Sequence, residues 1–366
     1  MPSRKPKNRH PGDEQHFLPL TSPSPIQSCG DCDFSFLRPL KPTVAFTTFW
    51  QFAAERQRIF LRRILGQPGP WTTDPILQQH KFTNAYRASD RVSQYLIRNV
   101  IYDGPKEPDE VFFRIMLFKT FNRIETWELL SGSFGALCYK EYSFLHYDNV
   151  LTAAMARGER IYSAAYIMPS GGRGSHYRKK HQMHLRLLER MMQDELPERV
   201  GELTSMAQGF EALRAYPTIG DFLAYQYVTD INYSPLTAFR EMEFVMPGPG
   251  ARDGIRKCFS DFGGLTESEI IKFITERQKE CFSAVGVQFP TLWGRPLQLI
   301  DCQSLFCEVD KYSRVAHPEI AGLSGRTRIK QVHRPSSKPL LPWYPPKWGI
   351  NGRLLEEPEY VPNTRS

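Results

Sequence analysis

The sequence predicts a mainly α protein, and three observations carry that reading. Through the middle of the chain apolar residues recur every three to four positions, the period of a helix that buries one stripe. Glycine and proline clusters interrupt this period at short intervals, as connections between helices do. Runs that alternate polar and apolar, the mark of a half-buried strand, are missing.

Taken in order, residues 1–43 are rich in Pro, Ser, Lys and Arg, and read as a disordered basic arm with Arg4, Lys5, Lys7 and Arg9 near its start. Residues 44–332 form the helical body. Its first helix spans 47–65, with Phe49, Phe52, Ala53, Ile59, Phe60 and Ile64 on one stripe and Gly66 as a C-terminal cap. A second is expected over 82–102, on Tyr86, Val92, Tyr95, Leu96 and Val100. Further helices are expected over 109–121, 142–157, 177–193 and 266–282, with breaks at P-G-P 68–70, D-G-P 103–105, P-S-G-G 169–172 and P-G-P-G 247–250. Residues 333–366 form a proline-rich tail without regular structure, part of which packs on the body through Trp343, Tyr344 and Trp348.

Composition narrows the function. With 41% hydrophobic and 13% aromatic residues the chain can bury a core. Lys and Arg outnumber Asp and Glu, 47 to 39, for a net charge of +8, which favours polyanions such as a phosphate backbone. No apolar run is long enough to span a membrane and the charged N-terminus is no secretory signal. The expected location is intracellular, or nuclear if the source is a eukaryote. The seven cysteines are scattered and read as reduced thiols. Cys29 and Cys32 lack a second ligand pair at zinc spacing, so no metal site is assigned.

Four stretches carry candidate chemistry. In K-F-T-N-A-Y-R-A-S-D-R, residues 81–91, a helix would place Asn84, Arg87 and Arg91 on one face with Asp90 beside Arg87. Paired guanidinium groups suit phosphate. Lys119, Asn122, Arg123 and Glu128 mix charges and an amide near Trp127 in the same manner. At 212–230 one helix ends at Tyr216-Pro217, a short turn runs through Thr218, Ile219 and Gly220, and a second helix carries Ala224 and Asp230. Backbone N–H groups at such a turn can hold a phosphate. At 246–259 the loop with Gly248 and Gly250 opens a helix bearing Arg252, Arg256 and Lys257. Neither this loop nor G-G-R-G-S at 171–175 has Walker A spacing. At 299–314 the acids Asp301 and Glu308, with Lys311, punctuate an apolar segment where burial can raise a carboxyl pKa. For every one of these a salt-bridged helix face, a capped loop or a buried ion pair is the competing structural explanation.

The turn at 216–224 resembles the helix-hairpin-helix of DNA glycosylases, with Thr218 at the usual first glycine. Together W-T-x-D-P-I-L at 71–77, the 81–91 stretch, F-K-T-F-N at 118–122, T-D-I-N-Y-S at 229–234, G-P-G-A-R-D-G-I at 248–255 and I-D-C-Q-S-L-F-C-E-x-D-K-Y at 300–312 resemble the helical domain of 5-hydroxymethyldeoxyuridine DNA kinases and α-glutamyl/putrescinyl thymine pyrophosphorylases. The resemblance covers roughly residues 46 to 330. It implies a helix-hairpin-helix, DNA-glycosylase-like helical fold with disordered termini, and base hypermodification in DNA without a cofactor.

On that resemblance the reaction is group transfer to a phosphorylated 5-hydroxymethyluracil. Arg87 and Arg91 would face the leaving group; Asp230 or Asp301 would handle the proton of an incoming amine, with Asp90 and Glu308 also in the catalytic set. Asn84, Lys119, Asn122, Ile219, Gly220, Gly248, Gly250, Arg252 and Lys311 would hold DNA or phosphate. DNA is the expected partner, with a separate P-loop kinase as a second. The alternatives are glycosylase-like base excision and a non-catalytic DNA-binding role beside such a kinase.

Overall fold

The computed structural model describes residues 26, 32–164, 168–169, 177–334 and 341–354. Among them run fourteen α-helices and one two-stranded sheet. Helix α1 (Val44–Ile64) is capped by Thr43, whose hydroxyl accepts from the Ala45 N–H. It is followed by α2 (Pro75–Gln79), α3 (Arg91–Tyr95), α4 (Pro108–Phe121), α5 (Ile124–Phe134), α6 (Phe144–Ala156), α7 (Lys180–Gln193), α8 (Leu196–Glu202), α9 (Met206–Arg214) and α10 (Asp221–Ile231). The last four are α11 (Pro249–Cys258), α12 (Glu267–Glu276), α13 (Gln278–Ala284) and α14 (Leu299–Ala316). Strand β1 (Lys41–Pro42) pairs antiparallel with β2 (Phe259–Asp261).

The helices fall into two groups. One joins α1, α11, α12, α13 and α14; the other joins α4 with α7, α8 and α10, and α9 against α10. Aromatic packing fixes the first. Phe46, Phe49 and Trp50 on α1 interlock edge-on or tilted with Phe259, Phe306 and Phe282, centroids 4.6–4.7 Å apart. The closest approach is between α11 and α14. A methyl group on Gly254 would collide with the Phe306 carbonyl oxygen, so only glycine lets the two backbones meet there. Beside this point the Lys257 ammonium, itself buried, pairs with Asp310 at 3.0 Å.

The described C-terminal residues pack as their aromatics predict. Tyr344 is fully buried and its hydroxyl lies 2.8 Å from the Ser89 hydroxyl. Trp348 stands edge-on to Tyr233, and Trp343 edge-on to Tyr102. Two 3-10 turns, Pro346–Trp348 and Asn351–Arg353, replace the expected irregular chain. At the other end Leu37 and Leu40 are buried and β1 is paired, so packing begins before residue 44. Arg4, Lys5, Lys7, Arg9 and the 171–175 glycine cluster lie outside the described residues.

Two expected helices come out differently. Residues 82–102 form a loop to Tyr86, a 3-10 turn Arg87–Ser89, then α3, then a π-helical turn Leu96–Ile101. Short polar side chains cause the break: Asp90 accepts from the Asn84 N–H at 2.8 Å, and the Asn84 amide donates to the Ser89 carbonyl at 2.7 Å. Such local bonds give the backbone an alternative to the helix ladder. Residues 266–282 divide at Arg277, where the Gln278 side chain bonds both Thr275 and Leu297.

The close approach at Gly254 yields a direct expectation. Gly254→Ala should destabilise the protein by about 3 kcal/mol or more in denaturant unfolding, because backbone, unlike a side chain, has no rotamer by which to yield.

Candidate functional site

The loop 82–90 sits where the two helical groups meet, and Arg87 is its centre. The Arg87 guanidinium grips Asp230 of α10 with two bonds, 2.7 and 3.0 Å. Its Nε donates to Gln226 Oε1 at 3.1 Å and one terminal nitrogen to the Tyr233 hydroxyl at 3.1 Å. Lys119 of α4 reaches the second Asp230 oxygen at 3.0 Å and also donates to Asn122 Oδ1 at 2.8 Å. The Arg87 backbone N–H donates to Asp301 of α14 at 2.8 Å. Arg87 thus bonds to α10 through its side chain and to α14 through its backbone. Arg87, Lys119, Asn122, Asp230 and Asp301 are all buried.

Local sequence explains each placement. Asn122 ends α4 in the left-handed region, φ 48°, which asparagine tolerates. That turn folds its side-chain carbonyl back on Lys119. Asp301 stands third in the first turn of α14, where its second oxygen accepts the Gln298 N–H at 2.9 Å and caps the helix.

Burial and charge set the acids apart. Burial alone would raise the carboxyl of Asp230, but Arg87 and Lys119 overcome it and hold the pKa below the ordinary value. Burial pushes Asp301 up to about 6, against the N–H donors of Gln298 and Arg87. The Lys119 ammonium is lowered by burial, with Asp230 opposing. Asp230 is therefore a firmly ionised anchor, whereas Asp301 can exchange a proton near neutrality.

A second polar cluster borders the first. Arg56 of α1 donates to the Thr83 carbonyl at 2.9 Å and to Asn84 Oδ1 at 3.0 Å. Glu308 accepts the Thr83 N–H at 3.1 Å and the Lys311 ammonium at 2.7 Å, and that ammonium also lies 4.4 Å above the Phe82 ring. Asp90, partly buried here, is pushed up to about 7 by burial, with nearby Glu308 adding to the rise.

The remaining sequence candidates are placed apart from this centre. Arg91 and Arg252 are exposed, at the first turns of α3 and α11. Because 81–91 is not one helix, Asn84, Arg87 and Arg91 share no face; Arg87 points inward and Arg91 outward. The turn between α9 and α10 holds Thr218 in the left-handed region, φ 70°. Ile219 is buried behind it. A methyl on Gly220 would meet nothing within 4 Å, so the start of α10 is open, although Asp221 there is paired with Arg214 at 2.6 Å.

Gly248 and Gly250 are small for another reason. A methyl on Gly248 would strike the Phe222 ring at 2.6 Å, and one on Gly250 would crowd Cys307 at 3.1 Å. They serve packing of α10 and α14 against α11, and the expected open phosphate cradle is filled by protein.

Sequence reasoning missed Arg56, Gln226 and Tyr233. Tyr233 was within reach, since it lies three residues past Asp230, but Arg56 stands among the other charges of α1, Glu55, Arg58, Arg62 and Arg63, and carried no distinguishing signal. It also missed Arg295, whose guanidinium lies 3.8 Å over the Trp348 ring and pairs with Glu241. Among the described residues no three His, Cys, Asp or Glu side chains converge as a metal ligand set, and no helix is long and apolar enough to cross a membrane.

Residues 43–322 match the family described as 5-hmdU DNA kinase, helical domain. A protein of Bacillus phage SP10 named 5-hmdU DNA kinase is 26% identical over 277 residues, covering 70% of this chain and 43% of its own length. The chain thus spans less than half of that relative. No solved structure matches.

Asp90 supplies the test of the electrostatics. Its folded pKa, near 7, lies above the unfolded value of ~3.9. The folded state therefore binds this proton more tightly, and the stability it contributes is complete below about pH 4 and lost as pH rises through 7. Asp90→Asn keeps the acceptor for Asn84 and cannot ionise. The variant should match wild type below about pH 4 and exceed it by about 4 kcal/mol at pH 8 in denaturant unfolding.

Proposed function

The chain belongs to the 5-hmdU DNA kinase helical-domain family, and from that premise we propose that it acts on 5-hydroxymethyluracil-derived bases in DNA. The supporting observation is that the matched span, 43–322, contains every member of the Arg87–Asp230–Lys119–Asp301 cluster. The cluster sets two fixed cations against one firmly ionised acid, Asp230, and leaves Asp301 free to gain or lose a proton. That balance suits a base carrying phosphate.

The proposed step is group transfer. An amine attacks the methylene carbon on the base, the bond from carbon to the phosphate oxygen breaks, and phosphate leaves as the anion. Positive charge on Arg87 and Lys119 favours the departing anion. Asp301 takes the proton that the new secondary amine must lose. Asp230, held ionised by the charges of Arg87 and Lys119, positions those cations and is no base. Asp90 is the alternative proton acceptor at the mouth of the loop. The turn at Ile219-Gly220 would hold a backbone phosphate while the base is extruded.

A second reading rests on a specific observation. Arg87, Lys119 and Asp230 are buried and mutually bonded, as the centre of a scaffold would be. In that reading the chain is a DNA-gripping module that presents the base to a separate P-loop kinase.

Duplex DNA containing 5-hydroxymethyluracil, or its phosphorylated form with a mixture of amines, followed by nucleoside mass spectrometry, separates these outcomes. Group transfer predicts a nucleoside in which the amine nitrogen has replaced the phosphate on the base's methylene, and Asp301→Asn should slow its formation by about 100-fold. Free base released instead would show a glycosylase. DNA bound and unchanged until a P-loop kinase and ATP are added would establish the second reading. An Asp301→Asn variant with full transfer activity overturns the role given to that residue.

A further inference from the structure

A feature outside the matched span, and outside every site above, is the segment after α14. Residues 323–334 read L-S-G-R-T-R-I-K-Q-V-H-R, with four fixed cations and no acid. Free chain of this composition would ordinarily be a solvated tail. Here it is tied to the body at three places. The Ser324 N–H donates to Asp253 at 3.2 Å, the Arg328 carbonyl accepts from the Arg314 guanidinium at 3.1 Å, and Val332 forms an antiparallel bridge with His80. Around that bridge the Lys81 N–H donates to the Gln331 carbonyl at 3.0 Å and the His333 N–H to the Gln79 carbonyl at 2.9 Å.

The tether sorts the side chains. Ile329 and His333 lie partly buried against the body, while Arg326, Arg328, Lys330 and Arg334 are exposed. Among the described residues none of these four forms an ion pair, although the chain elsewhere pairs many of its surface arginines. Lys81 is exposed on the paired segment, and the charges of Arg56, Arg63 and Lys81 all reach His333. The result is a ridge of cations at alternate positions along a chain held in place, so a ligand that binds it need not pay to order the backbone.

We infer that residues 323–334 form a docking ridge for the phosphate backbone of DNA. The ligand class follows from the chemistry: repeated fixed cations, none in an ion pair among the described residues, on a segment with no acid of its own fit a regularly spaced polyanion. Position supports it, because the paired segment 79–81 runs directly into the loop 82–90 that carries Asn84, Arg87 and Asp90. Backbone held on the ridge would lie beside the cluster assigned to the base. The inference rests on the reading of this protein as one that acts on DNA.

The test measures binding of unmodified duplex DNA by fluorescence anisotropy over about 50–200 mM salt. The triple variant Arg326→Ala/Arg328→Ala/Lys330→Ala is compared with Arg157→Ala/Arg240→Ala/Lys279→Ala, which removes the same charge from exposed positions elsewhere. Removing one cation that neutralises a phosphate lowers the slope of log affinity against log salt by ~0.9. The ridge variant should show a slope smaller by about 2–3 and an affinity at least ~10-fold weaker, and the control should stay near wild type. Equal losses in both variants, or an unchanged slope in the ridge variant, overturn the ridge while leaving DNA as the substrate. A wild-type protein that fails to bind DNA overturns both.

Discussion

The structure depends on one buried ionic interaction, the grip of Arg87 on both oxygens of Asp230, one of which Lys119 shares. Three charged groups taken out of water cost several kcal/mol each unless they satisfy one another. Here they do so with bidentate geometry, a tyrosine hydroxyl and two amides. The partners come from the loop 82–90, α4 and α10, and the Arg87 backbone is bonded in turn to Asp301 of α14. The interaction therefore determines how the two helical groups meet. A fold that needed only stability could fill this place with apolar side chains without penalty. It is on this retained charge that the proposed chemistry is placed.

The two acids beside Arg87 show how environment divides roles among identical groups. Asp230 has cations on both oxygens and stays ionised. Asp301 has only N–H donors and is raised to about 6 by burial. Acids whose environments push them apart are the usual basis of acid–base assignments. The second cluster, with Asp90, Asn84, Arg56 and Glu308, shapes the loop that delivers Arg87. Tyr344 and Trp348 from beyond residue 340 pack on the same loop and on Tyr233.

Much of this was legible in the sequence. The 3.6 period located α1, α4, α6 and α7, because each has a continuous apolar stripe. The motif order pointed to Arg87, Asp230, Asp301, Lys119 and Asn122, and these do converge. The period failed at 82–102, where Asn84 and Asp90 bond the backbone locally and no stripe records it. Charge patterning could not tell an exposed arginine from a buried one, so Arg87 and Arg91 looked equivalent. Gly248 and Gly250 looked like a phosphate loop, since a glycine required by a neighbouring Phe222 or Cys307 is indistinguishable in sequence from one required by a ligand. Arg56 gave no sign of its role, as its partners lie some thirty residues away on a loop.

That Arg87 and Asp230 join the two groups is tested most directly by a double-mutant cycle. Arg87→Gln, Asp230→Asn and the pair are compared in denaturant unfolding. If the grip organises the fold, Asp230→Asn, which leaves two buried cations with no acid between them, should destabilise by about 3–5 kcal/mol, with a coupling of ~2 kcal/mol or more between the sites. Single effects under ~1 kcal/mol that simply add would contradict it.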